Sequence, residues 1–124
     1  MARILVIEDD ATICDLMIRV LSMAGHEVLG AFDGEDGLRQ FQHNDVDLII
    51  TDWNMPRKDG GEVIREALRL DPSSRIILVT ATPSTDLTPD AVQGVQKVFP
   101  KPFELQALLN GVGEVLEGKH SPGL

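Results

Sequence analysis

The chain has 124 residues, enough for one compact domain and too few for two of ordinary size. Its residues are 43% hydrophobic and 25% charged, the balance of a globular domain with a real core. Eleven basic against twenty acidic side chains leave a formal net charge of −9, which speaks against non-specific nucleic-acid binding and against an anionic membrane surface. Cys14 is the sole cysteine, so no internal disulfide forms and nothing requires an oxidising compartment. The opening Met-Ala-Arg-Ile-Leu-Val-Ile-Glu-Asp-Asp turns acidic after a short apolar run. That is neither a signal peptide nor a membrane span, and no later apolar run approaches spanning length. A cytoplasmic single domain is the expectation.

Along the chain, β-rich stretches alternate with helical patterns. Ile4–Ile7 is a continuous apolar run, and Asp10 after it suits a helix N-cap. Ile13, Leu16, Met17, Val20, Leu21 and Ala24 then follow helical spacing until Gly25 stops it. Val28–Phe32, interrupted by Gly30, is the second strand, and Gly37, Leu38 and Phe41 mark a short helix face. Leu48–Thr51 is the third strand. Val63, Ile64, Ala67 and Leu68 form the next helix face, ended by Asp71-Pro72. Ile76–Thr80 is the fourth strand, and the segment after it reads as a long loop containing Pro83. Thr88 as N-cap and Pro89 at the first helical position open a short fourth helix that Gly94 stops. Val95–Phe99 is the fifth strand, partly polar. Leu105, Leu108, Leu109, Val112, Val115 and Leu116 give the last helix. One domain over 1–118 with a flexible tail over 119–124 is predicted.

The order βαβαβαβαβα implies a doubly wound α/β sandwich around a parallel sheet. The first, third and fourth strands are apolar enough to be covered on both faces, and the second and fifth suit the edges. Ligands in such sheets bind beyond the carboxyl ends of the strands. Glu8-Asp9-Asp10 follows the first strand, Asp52 the third, Thr80 ends the fourth and Lys101 follows the fifth. Two close carboxylates repel by about 4 kcal/mol at an effective dielectric of ~20. A divalent cation such as Mg2+, which prefers hard oxygen donors, would offset that. Taken singly, each residue has a plainer role: an Asp after a strand caps a helix or forms a turn, and a lone Lys is a solvated charge. Together they point to a site.

Glu8-Asp9-Asp10, Asp52-Trp53-Asn54-Met55-Pro56 with Asp59-Gly60 after it, Thr80-Ala81 and Lys101-Pro102-Phe103 together resemble the receiver domain of two-component response regulators. The layout is similar to the stand-alone, CheY-like type, and the resemblance runs from Arg3 to about Leu116. It implies a flavodoxin-like (βα)5 three-layer sandwich with sheet order 2-1-3-4-5. It implies phosphorelay signalling, with Asp52 as phosphoacceptor, its carboxylate attacking a phosphohistidine on a sensor histidine kinase or phosphotransfer protein. Asp9 and Asp52 would hold Mg2+ directly, Asn54 through its backbone carbonyl and Glu8 through water. Lys101 would contact a phosphoryl oxygen and Thr80 would donate its hydroxyl to another. The Lys101–Pro102 peptide would be cis. Such a domain catalyses only its own phosphorylation and dephosphorylation, and its modified state changes binding to a downstream protein or effector domain.

Departures from the family pattern leave alternatives open. The position three before the lysine, usually aromatic or His, is Val98, and Phe99 should face the other side of its strand. Output then comes from rearrangement of the loop or the fourth helix, or else Val98 packs in the core and the protein switches weakly. Pro100 also departs from the pattern, and Asn54 and Thr82 occupy the positions that in the family govern water access to the phosphoryl group. Trp53 reads as a partly buried packing residue and Cys14 as an inert packed thiol. His26, His43 and His120 show no ligand spacing. Two rival functions remain: a Mg2+-dependent phosphohydrolase with an aspartate nucleophile, whose Asp-x-Asp pattern is met here only by Asp52-Trp53-Asn54, and a degenerate receiver serving as a constitutive scaffold. The chain itself carries no effector, so it is either a natural single-domain regulator or a receiver from a longer regulator or hybrid kinase.

Overall fold

Strands covered on both faces need apolar side chains on both, and the three near-continuous Ile/Leu/Val runs take the central positions of the sheet. The computed structural model describes residues 2–83 and 86–118; the tail expected over 119–124 and His120 lie outside the described residues. The elements are β1 (Arg3–Ile7), α1 (Ala11–Met23), β2 (Glu27–Ala31), α2 (Gly34–His43), β3 (Leu48–Thr51), α3 (Gly60–Leu70), β4 (Ile76–Thr80), α4 (Pro89–Gln93), β5 (Lys97–Pro100) and α5 (Leu105–Leu116). All neighbouring strands pair in parallel, in the order β2-β1-β3-β4-β5. The flavodoxin-like order is therefore as expected, with the two less apolar strands at the edges. The chain leaves β1 toward β2 and returns on the other side as β3, so the topological switch lies between β1 and β3.

Side-chain alternation along the strands divides the core in two. Ile4, Val6, Leu48, Ile50, Ile77 and Val79 pack against Cys14, Met17 and Leu21 of α1 and Leu108, Val112 and Val115 of α5. Leu5, Ile7, Ile49, Ile76 and Leu78 face the other way, onto Leu38 of α2, Val63, Ile64 and Ala67 of α3, and Ala91 of α4. These are the helix, sheet and helix layers of the sandwich.

Local chemistry sets the helix ends. The Asp10 carboxylate caps α1 by accepting the N–H groups of Thr12 at 3.0 Å and Ile13 at 3.1 Å. Gly25, at φ 98°, takes the left-handed conformation just beyond the end of α1. Asp59 and Glu62 form a reciprocal capping box at the start of α3. Thr88 occupies the N-cap position of α4, but its hydroxyl makes no capping bond.

Some details differ from the sequence reading or settle what it left open. On α1 the helix is rolled so that Cys14, Met17 and Leu21 form the buried seam, while Leu16 is 42% exposed. The fifth strand begins two residues later than expected: the Gln96 side chain, rather than the ladder, takes the Ile76 N–H at 2.6 Å. Val98 does not pack in the core. It is 40% exposed, while Phe99 turns inward against the α1/α5 layer. Period-two alternation on an edge strand accounts for this, since only one of two successive side chains faces a covering helix.

Burial pushes the Cys14 thiol up to about 11, with the charges of Asp15 and Glu8 adding to the rise. At pH 8 the native protein should therefore resist a thiol reagent, and labelling in a urea series should rise only with the unfolded fraction. Rapid labelling of the native chain would contradict this packing.

Candidate functional site

Three charged side chains meet at the carboxyl edge of the sheet because each sits one step past its strand and is still tied to the neighbouring one. The Glu8 N–H donates to the Ala31 carbonyl at 2.9 Å, the Asp52 N–H to Ile7 at 3.1 Å and the Lys101 N–H to Thr80 at 2.9 Å. The parallel ladder thus fixes where the side chains start. Past Asp52 the chain turns back tightly: the Gly60 N–H donates to the Trp53 carbonyl at 2.7 Å. A Cβ at Gly60 would collide with the Asp52 carbonyl and Trp53 Cα, so this close approach requires glycine.

Lys101 Nζ donates to Glu8 Oε1 at 2.6 Å and to Asp52 Oδ2 at 2.9 Å. Glu8 is almost fully buried, and Asp52 is 8% exposed. Glu8 Oε2 also accepts the Asp10 N–H at 3.1 Å, and Asp52 Oδ1 accepts the Trp53 N–H at 2.6 Å. Burial pushes the Glu8 carboxyl above its ordinary value; its hydrogen bonds pull the other way, and the Asp52 charge adds to the rise. Burial alone would lower the Lys101 ammonium, but its hydrogen bonds to Glu8 and Asp52 hold it above its ordinary value. The lysine is therefore charged and neutralises much of the carboxylate charge beside it. The Lys101–Pro102 peptide is cis, as expected.

Asp9, by contrast, is exposed and makes no ion pair among the described residues. One carboxylate oxygen from each of Glu8, Asp9 and Asp52 lies within 4.8 Å of the others. An all-oxygen donor set with excess negative charge fits a hard divalent cation. Thr80 is buried at the end of β4, and its Oγ1 accepts the Thr82 N–H at 3.0 Å. Asn54 is exposed, and its Nδ2 donates to Thr82 Oγ1 at 2.6 Å.

The structure brings Glu8, Asp9, Asp52 and Lys101 together, with Thr80 on the adjoining strand. Two of its contacts went unread in the sequence. Glu8 is tied directly to Lys101, and Asn54 and Thr82, read as two positions near the phosphoryl group but not as a contact, are hydrogen-bonded to one another. Neither contact leaves a local sequence signal, because each joins residues on different strands or loops. His26 and His43 stay away from the site: the first accepts the Ala2 N–H at 3.3 Å and the second bonds the Arg39 carbonyl at 3.0 Å. Trp53 is half-buried against the α2/α3 layer, as expected of a packing residue.

The family model for the response regulator receiver domain matches residues 4–112. The chain is 33% identical over 117 residues to the response regulator receiver protein CpdR of Brucella abortus, covering 94% of this chain and 98% of that protein. Other relatives at similar identity are longer, and the chain spans 26% of one and 56% of another. A receiver domain protein from Clostridium thermocellum superposes with a TM-score of 0.88 at 32% identity, covering 96% of this chain and 97% of that one. The response regulator TrrA from Thermotoga maritima, solved in complex with Mg2+-BeF, superposes with a TM-score of 0.84 at 32% identity, covering 93% and 99%.

The electrostatics predict opposite effects for two substitutions in metal-free protein. Lys101→Met should cost about 3 kcal/mol, because it leaves Glu8 buried beside Asp52 with no cation. Asp9→Asn removes an exposed acid from a repulsive cluster and should raise stability by up to about 1 kcal/mol. Urea unfolding in a chelator reads both, and losses of equal size would contradict the role given to the lysine.

Proposed function

This chain belongs to the response regulator receiver domains, and from that premise we propose that Asp52 accepts the phosphoryl group in a phosphorelay. The observation that carries the assignment is the Asp52 carboxylate itself. It lies at the carboxyl end of a central strand, within 4.8 Å of two further acids and 2.9 Å from a lysine ammonium. An Asp52 oxygen would attack the phosphorus of a phosphohistidine on a sensor histidine kinase or phosphotransfer protein. The new bond is an acyl phosphate, and the bond to the donor nitrogen breaks.

Asp9 and Asp52 would bind Mg2+ directly, with the Asn54 backbone carbonyl as a further ligand and Glu8 acting through water. When bound, the ion neutralises the carboxylates and the phosphoryl oxygens. Lys101 is already aimed at the reacting carboxylate, so an incoming phosphoryl oxygen finds a charge-assisted donor beside it. In the present hydrogen bond Thr80 Oγ1 is the acceptor, which leaves its own O–H free to donate to a second phosphoryl oxygen.

The modified state would act in the cytoplasm by changing contacts with a downstream protein or effector domain. The receiver unit spans 1–118, and no helix among its described residues is long and apolar enough to cross a membrane. With a valine already pointing outward at position 98, the output passes through the segments flanking β4 and α4. The domain catalyses only its own phosphorylation and dephosphorylation.

Incubation with a small phosphodonor and Mg2+, followed by intact-mass measurement, tests the assignment. The wild-type chain should gain one phosphoryl group and Asp52→Asn none. Equal labelling of the two would move the nucleophile elsewhere. Sustained release of phosphate from ordinary phosphomonoesters would favour a hydrolase.

A further inference from the structure

A cavity of about 480 Å³ adjoins the phosphoacceptor loop, lined by Trp53, Asn54, Ala81, Thr82, Pro83 and Asp86. Trp53 and Asn54 directly follow Asp52, and Thr82 bonds back to Thr80. None of Glu8, Asp9, Thr80 or Lys101 lines it. The groups suited to phosphoryl oxygens, and Asp52 itself, therefore lie beside this space rather than in its described lining.

The chemistry of the lining is selective. The Asn54 amide and the Thr82 hydroxyl are already bonded to each other. Trp53 offers the face or edge of an indole, and Ala81 and Pro83 are apolar. Asp86 is the one charged residue among the described residues of the lining. It is exposed, its N–H bonds the Pro83 carbonyl at 2.9 Å, and its carboxylate has no hydrogen bond or ion pair among the described residues. A cavity with an aromatic wall and a single free carboxylate favours a flat or compact cation.

We propose that Trp53 and Asp86 form a leaving-group subsite that makes this receiver favour phosphoramidate donors over acyl phosphates. The inference rests on Asp52 being the phosphoacceptor. In a phosphoramidate, including a protonated phosphoimidazole, the leaving group carries positive charge before transfer. As the Asp52 oxygen bonds to phosphorus, the P–N bond breaks and its electron pair passes to the leaving group. That group departs neutral, as an amine or imidazole, with no proton required from the protein. Asp86 thus attracts the donor and loses its hold on the product. With an acyl phosphate the P–O bond breaks, the pair stays on oxygen, and the departing carboxylate is repelled by Asp86.

The test compares labelling rates with phosphoramidate and with acetyl phosphate, in Mg2+ at low ionic strength, followed by intact mass for wild type, Asp86→Asn and Asp86→Lys. Because Asp86 is exposed, the phosphoramidate-to-acetyl-phosphate rate ratio should fall by about three- to fivefold in Asp86→Asn. Charge reversal in Asp86→Lys should take it down by roughly tenfold, with both effects shrinking at high salt. Labelling by both donors with the ratio unchanged in both variants would overturn the subsite and leave Asp52 as phosphoacceptor. No labelling of the wild-type chain by either donor would overturn the phosphoacceptor assignment and the subsite with it.

Discussion

The Lys101 ammonium holds the top of this sheet together. Glu8 and Asp52 are both nearly buried, and a pair of carboxylates so placed would repel each other and lack water. One amine donating to both, at 2.6 and 2.9 Å, offsets the repulsion and satisfies an oxygen on each. The side chain comes from beyond β5, at the far edge, and is met above the sheet by the carboxylates that follow β3 and β1. That meeting sets the ammonium at the acid edge, beside the phosphoacceptor proposed here. The same contact that makes a crowded acidic cluster tolerable would also orient a cation for the phosphoryl chemistry proposed for Asp52.

The topology makes that contact reproducible. In a parallel sheet every strand ends at the same edge, so residues one step past β1, β3 and β5 are delivered to one place. Their own amides extend the ladder by one bond each, to Ala31, Ile7 and Thr80. Beneath them, the strand ends Ile7, Thr51 and Thr80 are buried, which gives the acids a firm floor. Asp9 escapes the floor because it is one residue farther along and turns to solvent. That single step separates a carboxylate neutralised by protein from one that has no ion pair among the described residues and suits a cation.

Much of this was legible in the sequence. The Ile/Leu/Val runs located the three central strands, with Leu48–Thr51 and Ile76–Thr80 matching to the residue, because runs covered on both faces have few other homes. The spacing of Glu8-Asp9, Asp52, Thr80 and Lys101 placed these residues at one edge, since a parallel sheet sends strand ends there. What stayed hidden was pairwise and non-local. Leu16 and Cys14 both fit a helical pattern, and only packing against Ile4, Val6 and α5 decided which faced inward. Val98 lies between a charged residue and an aromatic one, so its sequence neighbourhood could not say whether a helix would cover it. Asp86, in a loop with no periodicity, gave no signal, because its place beside Trp53 exists only once two loops have met.

The meeting of those two loops also bears on how a signal could leave the site. Receivers commonly pass the threonine's movement to an aromatic side chain on β5, and Val98 cannot serve that way: it is small and already turned to solvent. Thr80 Oγ1 is instead bonded to the Thr82 N–H, and Thr82 Oγ1 to Asn54, so the end of β4 and the loop after β3 are joined. A phosphoryl group on Asp52 would lie near both ends of that chain, with Thr80 on the adjoining strand and Asn54 two residues along its own loop. The segment in between leads to α4, five residues long, with an N-cap threonine that makes no capping bond. A short, weakly capped helix yields more readily than the well-capped α1 and α3. The absence of an aromatic relay and the weakness of α4 would thus be complementary, since a movement that Val98 cannot transmit would have a pliable element to pass into.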